Sequence, residues 1–108
     1  MNLAELLARS ASTFGDRPAI YVGSHRWCNY DVLHNRSARI AGWLRQDLGL
    51  DRGDRVALVL QNCPEYVELL FACWHAGLTT VPINSRLHPR ELHYILTQSG
   101  ARACFVSP

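Results

Sequence analysis

The sequence predicts an α/β domain in which a helix, a hairpin and a second helix lead into a parallel β-α-β-α-β array. Three observations carry that expectation. Val56-Ala57-Leu58-Val59-Leu60 is apolar without alternation, as in a strand covered on both faces of a parallel sheet. Around it, apolar segments of strand length alternate with segments of helical period, each closed by glycine or proline. The length, 108 residues at 48% hydrophobic and 19% charged, suits one core and is too short for two.

The elements follow in order. Leu3, Leu6, Leu7, Ala11 and Phe14 recur at helical spacing and stop at Gly15, which predicts an amphipathic helix with a glycine C-cap. Ala19-Ile20-Tyr21-Val22 and Trp27-Cys28-Asn29-Tyr30 flank Gly23-Ser24-His25-Arg26, the pattern of a hairpin. Asp31 is placed to cap a second helix with a buried stripe of Leu33, Ser37, Ile40, Ala41, Leu44 and Leu48, ended by Gly49. Gly53-Asp54 turns into the apolar strand, and Asn62-Cys63-Pro64-Glu65 starts a helix with proline in its first turn. Tyr66, Val67, Leu69, Leu70, Phe71 and Trp74 make that helix apolar almost all round, so it is expected to be buried, and Gly77 closes it. Thr79-Thr80-Val81 reads as a short strand ending at Pro82. Pro89-Arg90-Glu91 opens a helix carrying Leu92, Ile95 and Leu96 before Gly100, and Ala103-Cys104-Phe105-Val106 reads as the last strand.

Composition excludes several kinds of chemistry. All 11 basic residues are arginine, so the chain holds no side-chain amine for a phosphate loop, a Schiff base or a lysine general base. The formal net charge is +2 and the charges are interspersed, so no basic block supports nucleic-acid binding. Cys28, Cys63, Cys73 and Cys104 form no C-x-x-C pair and sit in or beside apolar segments, which predicts free buried thiols in a reducing compartment. Met1-Asn2-Leu3-Ala4-Glu5 lacks the basic start of a signal peptide. The longest apolar run, 69–74, falls far short of the roughly 20 residues that span a bilayer, and a cytoplasmic protein is the expectation.

Catalytic motifs are missing as well. The closest glycines are Gly49 and Gly53, which excludes a G-x-G-x-x-G turn and a Walker loop, and neither a G-x-S-x-G elbow nor an H-E-x-x-H pair is present. His88 and His93 lie off a common helical face, and no metal site is expected from the five histidines. Tyr66, Phe71 and Trp74 could line a ligand pocket, but their spacing inside an apolar run assigns them to the core. On this reading the chain has no catalytic residue of its own.

The order of its local phrases says more. Asp16-Arg17-Pro18-Ala19-Ile20 is followed by Tyr30, Leu33 and Asn35-Arg36-Ser37-Ala38-Arg39-Ile40-Ala41, then Gly53-Asp54-Arg55-Val56-Ala57 and Asn62-Cys63-Pro64-Glu65. Ala76-Gly77, Val81-Pro82-Ile83-Asn84-Ser85-Arg86-Leu87 and Glu91-Leu92-x-Tyr94-Ile95-Leu96 complete the series. In this order and spacing the chain resembles the N-terminal portion of the adenylate-forming (AMP-binding) superfamily, most closely its acyl-CoA synthetases and fatty-acid–CoA ligases. Asn29 departs from the family's usual threonine but keeps a small hydrogen-bonding side chain.

The resemblance implies that residues 1–108 are the N-terminal subdomain of a larger enzyme's large domain. Such enzymes use ATP and Mg2+ to convert a carboxylic acid to an acyl-adenylate, then pass the acyl group to a thiol, commonly that of coenzyme A. Their phosphate loop, ribose-binding aspartate and catalytic lysine lie downstream of the matched stretch, so this chain alone is expected to be inactive and to bind no cofactor. The resemblance also offers one binding candidate, Arg86, at the position of an N-x-R-L arginine that lies near the coenzyme A phosphates in some members; a forked guanidinium suits such oxygens. Arg90 fits an exposed first-turn residue equally well. Two alternatives come from the chain itself. One is a freestanding binding or oligomerisation module reusing this subdomain; a fragment is instead expected to expose apolar surface its neighbours would cover and to form homo-oligomers through it. The other is a flavodoxin-like nucleotide binder, against which stands the absence of glycine in Gln61-Asn62-Cys63-Pro64, where backbone amides would have to close on an anion.

Overall fold

The computed structural model describes residues 2–107. Helix α1 (Ala4–Phe14) precedes a hairpin of β1 (Pro18–Val22) and β2 (His25–Asn29), and helix α2 (Tyr30–Gln46) follows. Strand β3 (Arg55–Val59), helix α3 (Pro64–His75), strand β4 (Thr79–Pro82), helix α4 (Pro89–Ser99) and strand β5 (Ala103–Val106) make up the second half.

Strand β3 is central in a parallel sheet of order β4-β3-β5, with Ala57 opposite Val81 on one side and Cys104 on the other. Its side chains divide between two cores. Val56 and Leu58 pack with Ala41 and Leu44 of α2 and with Ala72 and Cys73 of α3. Ala57 and Val59 face the opposite way, toward Ile83 and toward Leu92, Ile95 and Leu96 of α4. Residues 56–58 are fully buried, which explains why no polar residue alternates along the strand. A third cluster of Leu7, Cys28 and Leu33, contacted by Val67 and Phe71, fixes α1 and the hairpin to the α2–α3 pair.

Polar bonds tie α2 to α3 beneath this apolar packing. The Arg36 guanidinium meets the buried Glu68 carboxylate at 3.1 Å, and the Ser37 hydroxyl donates to the Glu68 carbonyl at 3.3 Å. Arg45 donates to the Ala76 carbonyl at 2.9 Å, at the last turn of α3, where unpaired carbonyls favour a cation.

Several local expectations are corrected. The hairpin turns on Gly23 and Ser24 alone, because Val22 pairs directly with His25, and Gly23 takes the left-handed φ of 61° required at the first position of the turn. His25 and Arg26 therefore belong to β2, and Tyr30 starts α2. The cap of α2 is Asn29, not Asp31: the Asn29 Oδ1 accepts from the Val32 amide at 2.9 Å, and Asp31 lies in the first turn. Leu48 is exposed because α2 stops at Gln46. Gly15 does cap α1, but with a right-handed φ of −51°; a Cβ there would come about 2.4 Å from the Asp31 carboxylate oxygens, so that side chain would have to swing aside. On α1, Leu3, Leu6 and Phe14 are exposed and the buried face is Ala4, Leu7 and Ala11.

Helix α3 is less enclosed than its composition predicts. Only Glu68, Ala72 and Cys73 are fully buried along it, while its large side chains sit part-way out, with Phe71 and Trp74 meeting edge to face at 5.2 Å. The thiols divide similarly. Cys28 and Cys73 are buried, Cys63 is half-buried and Cys104 is exposed, because the side chains of edge strand β5 alternate between the core and solvent. Burial pushes the Cys73 thiol from 9.0 up to about 11. The Cys28 thiol is also raised, first by burial and next by the Glu68 carboxylate, with Arg36 opposing.

Two outcomes are expected. Asn29→Ala should cost about 1 kcal/mol in urea unfolding, independent of salt, whereas Asp31→Ala should cost less and its effect should fade in high salt, because it removes only a screened dipole interaction. In the native chain near pH 8, a thiol reagent should label Cys104 readily and Cys63 more slowly, reaching Cys28 and Cys73 only after unfolding. Because the Cys73 thiol is harder to ionise when folded, its stabilising contribution should be intact below pH 9 and be lost as pH rises toward about 11.

Candidate functional site

Parallel strands deliver their following loops to one end of the sheet. Beyond the C-terminal ends of β3 and β4, residues 60–62 and 82–86, together with Tyr66 from the first turns of α3, enclose an open cleft of about 700 Å³. This is where open α/β sheets characteristically bind ligands.

Hydrogen bonds hold the walls. The buried Ile83 donates its amide to the Leu58 carbonyl at 2.9 Å, continuing the β3–β4 ladder past the end of the strand. The Asn84 side chain accepts from the Arg86 amide at 2.9 Å, and the Leu87 amide donates to the Asn84 carbonyl at 3.3 Å, which curls the loop and sets Arg86 on its outer turn. On the other wall, the Gln61 amide donates to the Ser107 hydroxyl at 2.8 Å, linking the loop after β3 to the end of β5.

Arg86 carries the only charge among the lining residues of the cleft. Among the described residues the one ion pair is Arg36–Glu68, so no carboxylate there neutralises Arg86. Around it the cleft presents the side-chain amides of Gln61, Asn62 and Asn84, the Ser85 hydroxyl and the Tyr66 phenol. An exposed guanidinium among neutral donors suits an anionic oxygen cluster. The lining includes neither a cysteine, a histidine nor a carboxylate, hence no such side chain to activate a nucleophile.

The structure separates the other candidates from this cleft. Arg90 borders a different shallow depression with Glu91, Tyr94 and Ile95. His88 is occupied as the cap of α4, its Nδ1 accepting from the Arg90 amide at 3.1 Å, and His93 lies exposed on the same helix. Among the described residues no group of three or more His, Cys, Asp or Glu side chains is placed to hold a metal ion. Tyr66 packs against the main core as expected and also lines the cleft, whereas Phe71 packs against the hairpin cluster. Gln61, Asn62 and Asn84 were not singled out from sequence, although their place directly after parallel strands was the available signal. No helix among the described residues is long and apolar enough to cross a membrane.

A three-stranded parallel sheet between helical layers, with an anion-suited cleft at its C-terminal edge, defines an α/β ligand-binding unit. The profile of the AMP-binding enzyme family matches residues 7–108, and the chain belongs to that family. It is 38% identical over 105 residues to a long-chain-fatty-acid–CoA ligase of Salmonella typhimurium, covering 97% of this chain and 18% of the relative. A feruloyl-CoA synthase of Amycolatopsis is 46% identical over 79 residues, 73% of this chain and 16% of that protein. The chain thus spans about 18% of the length of the ligase relatives it matches. Among solved structures, the N-terminal domain of FACL13 from Mycobacterium tuberculosis superposes with a TM-score of 0.91 at 30% identity, covering 98% of this chain and 27% of that one. The N-terminal subdomain of NpsA from Klebsiella oxytoca, bound to 3-hydroxyanthranilyl-AMSN, superposes with a TM-score of 0.90 at 26% identity, covering 99% and 27%. The fold is that of the N-terminal subdomain of adenylate-forming enzymes, and the chain matches the N-terminal part of acyl-CoA ligases.

Asn84→Ala should free the Arg86 amide and speed its hydrogen exchange roughly two- to tenfold, the worth of one hydrogen bond. The global unfolding midpoint should stay unchanged, as measured by NMR exchange alongside urea denaturation.

Proposed function

We propose that residues 1–108 form the N-terminal subdomain of the large domain of an AMP-forming acyl-CoA synthetase. The parent would condense a carboxylic acid with ATP to an acyl-adenylate and pyrophosphate, then transfer the acyl group to coenzyme A. The observation that carries this reading is the correspondence over nearly the whole chain, in sequence with long-chain-fatty-acid–CoA ligases and in fold with N-terminal subdomains of adenylate-forming enzymes. A cytoplasmic location fits such a ligase.

Within the parent, Arg86 would pair with phosphate oxygens of coenzyme A, held outward by the Asn84 turn, while Tyr66 and the neighbouring amides shape the wall. The bond-making chemistry belongs elsewhere. The chain has no lysine, its cleft offers no base to activate a nucleophile, and the described residues do not fit a magnesium site, so no step through the metal is assigned to them. Alone, the chain would be inactive, its part being to bind one end of a substrate and to support the rest of the large domain. Exposed Trp43, Leu48 and Val106 provide apolar surface for that support, and for self-association of the isolated chain.

In the full-length parent, Arg86→Ala should raise the KM for coenzyme A about 10- to 100-fold, as expected for loss of charge-assisted hydrogen bonds. ATP–pyrophosphate exchange with the carboxylate substrate should be unaffected. An unchanged KM and thioester rate would remove the assignment of Arg86, and exchange activity in the isolated chain would overturn its assignment as an inactive subdomain.

A further inference from the structure

The inward face of β5 carries a polar residue where its pattern calls for an apolar one. Cys104 and Val106 are exposed, while Ala103 and Phe105 point inward and pack against the main core. Two residues after Phe105 the same face continues with Ser107, which is half-buried. A polar side chain in such a place is the informative exception to an apolar pattern, and its hydrogen bond shows what it does there.

In the β3–β5 ladder Val59 stands opposite Val106, and the Ser107 amide donates to the Val59 carbonyl at 3.4 Å, one step past the strand. Regular parallel pairing would next bring the Gln61 amide to the Ser107 backbone carbonyl. The Ser107 hydroxyl takes that amide instead, at 2.8 Å. The bond ends the ladder at a fixed point and turns the chain out toward Asn62, two residues before the proline that starts α3. Gln61 and Asn62, both exposed, are thereby carried into the lining that they share with Arg86. The loop of Arg86 is held in the same manner, by the Asn84 side chain accepting from the Arg86 amide. Each wall of the cleft is thus fixed by one side-chain oxygen on one backbone amide.

We infer that Ser107 is a positioning residue for the cleft: its hydroxyl, set on the Gln61 amide, holds the Gln61 and Asn62 side chains where they add neutral donors to the anion held by Arg86. Ser107 itself is not among the lining residues and acts through Gln61. The inference rests on the reading of the cleft as the coenzyme A site, and adds to it a residue from the third strand of the sheet. A serine that served the fold alone would affect both half-reactions alike, whereas a positioning serine affects the step that uses the cleft.

The test uses the full-length parent with Ser107→Thr and Ser107→Val, whose new side chains match in bulk and differ in the hydroxyl. Ser107→Val should raise the KM for coenzyme A about three- to tenfold, the worth of one hydrogen bond, and Ser107→Thr should stay within about twofold of the parent. ATP–pyrophosphate exchange, which does not use the coenzyme, should keep its rate in both. In a Gln61→Ala/Asn62→Ala background, Ser107→Val should add no further loss, because the donors it positions are gone. In the 108-residue chain, hydrogen exchange of the Gln61 amide should speed up with valine and not with threonine, circular dichroism showing both variants folded. Should Ser107→Val fail to fold, Ser107→Ala carries the same expectations. Equal losses in the thioester step and in pyrophosphate exchange, or a full additional loss in the double-alanine background, would overturn the proposal and leave Ser107 a structural role alone. An unchanged KM in Ser107→Val together with a raised one in Arg86→Ala would remove Ser107 while leaving the cleft assignment standing. Unchanged values in both would remove the reading of the cleft itself.

Discussion

Burial of β3 on both faces is the constraint from which the rest of the second half follows. A strand with no solvent-facing side needs a helical layer on each, and its parallel neighbours can be reached only by crossover connections long enough to hold helices. Helices α3 and α4 are those crossovers, and the two cores they close use alternate residues of the same short strand. Parallel pairing then brings the loops after β3 and β4 to a common end. The cleft is thus a geometric consequence of satisfying one apolar segment, and only the identity of its lining was left to be chosen.

The first half is attached to this unit by a mixed contact. Glu68 is a carboxylate on the buried side of α3, and leaving it unpaired would carry a substantial desolvation cost. Arg36 meets its carboxylate and the Ser37 hydroxyl meets its carbonyl, so adjacent residues of α2 satisfy both groups at one level of the helix pair. Hydrophobic packing alone would allow the two helices to slide; a directional pair of bonds fixes their relative register. The pair also reaches toward the hairpin, since Glu68 and Arg36 act in opposite senses on the Cys28 thiol.

Much of this was legible in the residues. The unalternating apolar strand, the proline that starts α3 and the glycine that ends α4 each act through local sterics or burial, which a sequence states directly. Features that depend on competition between neighbours were less legible. Asn29 and Asp31 are both good capping residues, and the choice fell to Asn29 because its backbone is still extended (ψ 178°) when the helix starts at Tyr30, whereas Asp31 already lies within the first turn. The exposure of α3's large residues could not be read from its composition, because it depends on how much surface the surrounding elements cover. Of the site, Arg86 was reached through family resemblance alone. Tyr66 is hidden among other aromatic residues, and although Asn62 and Asn84 lie in the phrases that carry the resemblance, nothing in those phrases marks their amides as lining a site.

The absence of lysine acquires a more specific meaning in this setting. An arginine keeps its charge throughout the range in which proteins are folded, and its planar fork loses little freedom on pairing with oxygens. A binding wall gains from both properties. Chemistry that moves a proton gains from neither, because it needs a group that can change its charge near neutral pH. The cleft offers a guanidinium, neutral donors and a phenol, and neither a carboxylate nor an imidazole. Such a wall is suited to holding rather than to proton transfer, in keeping with a piece that covers less than a fifth of its ligase relatives.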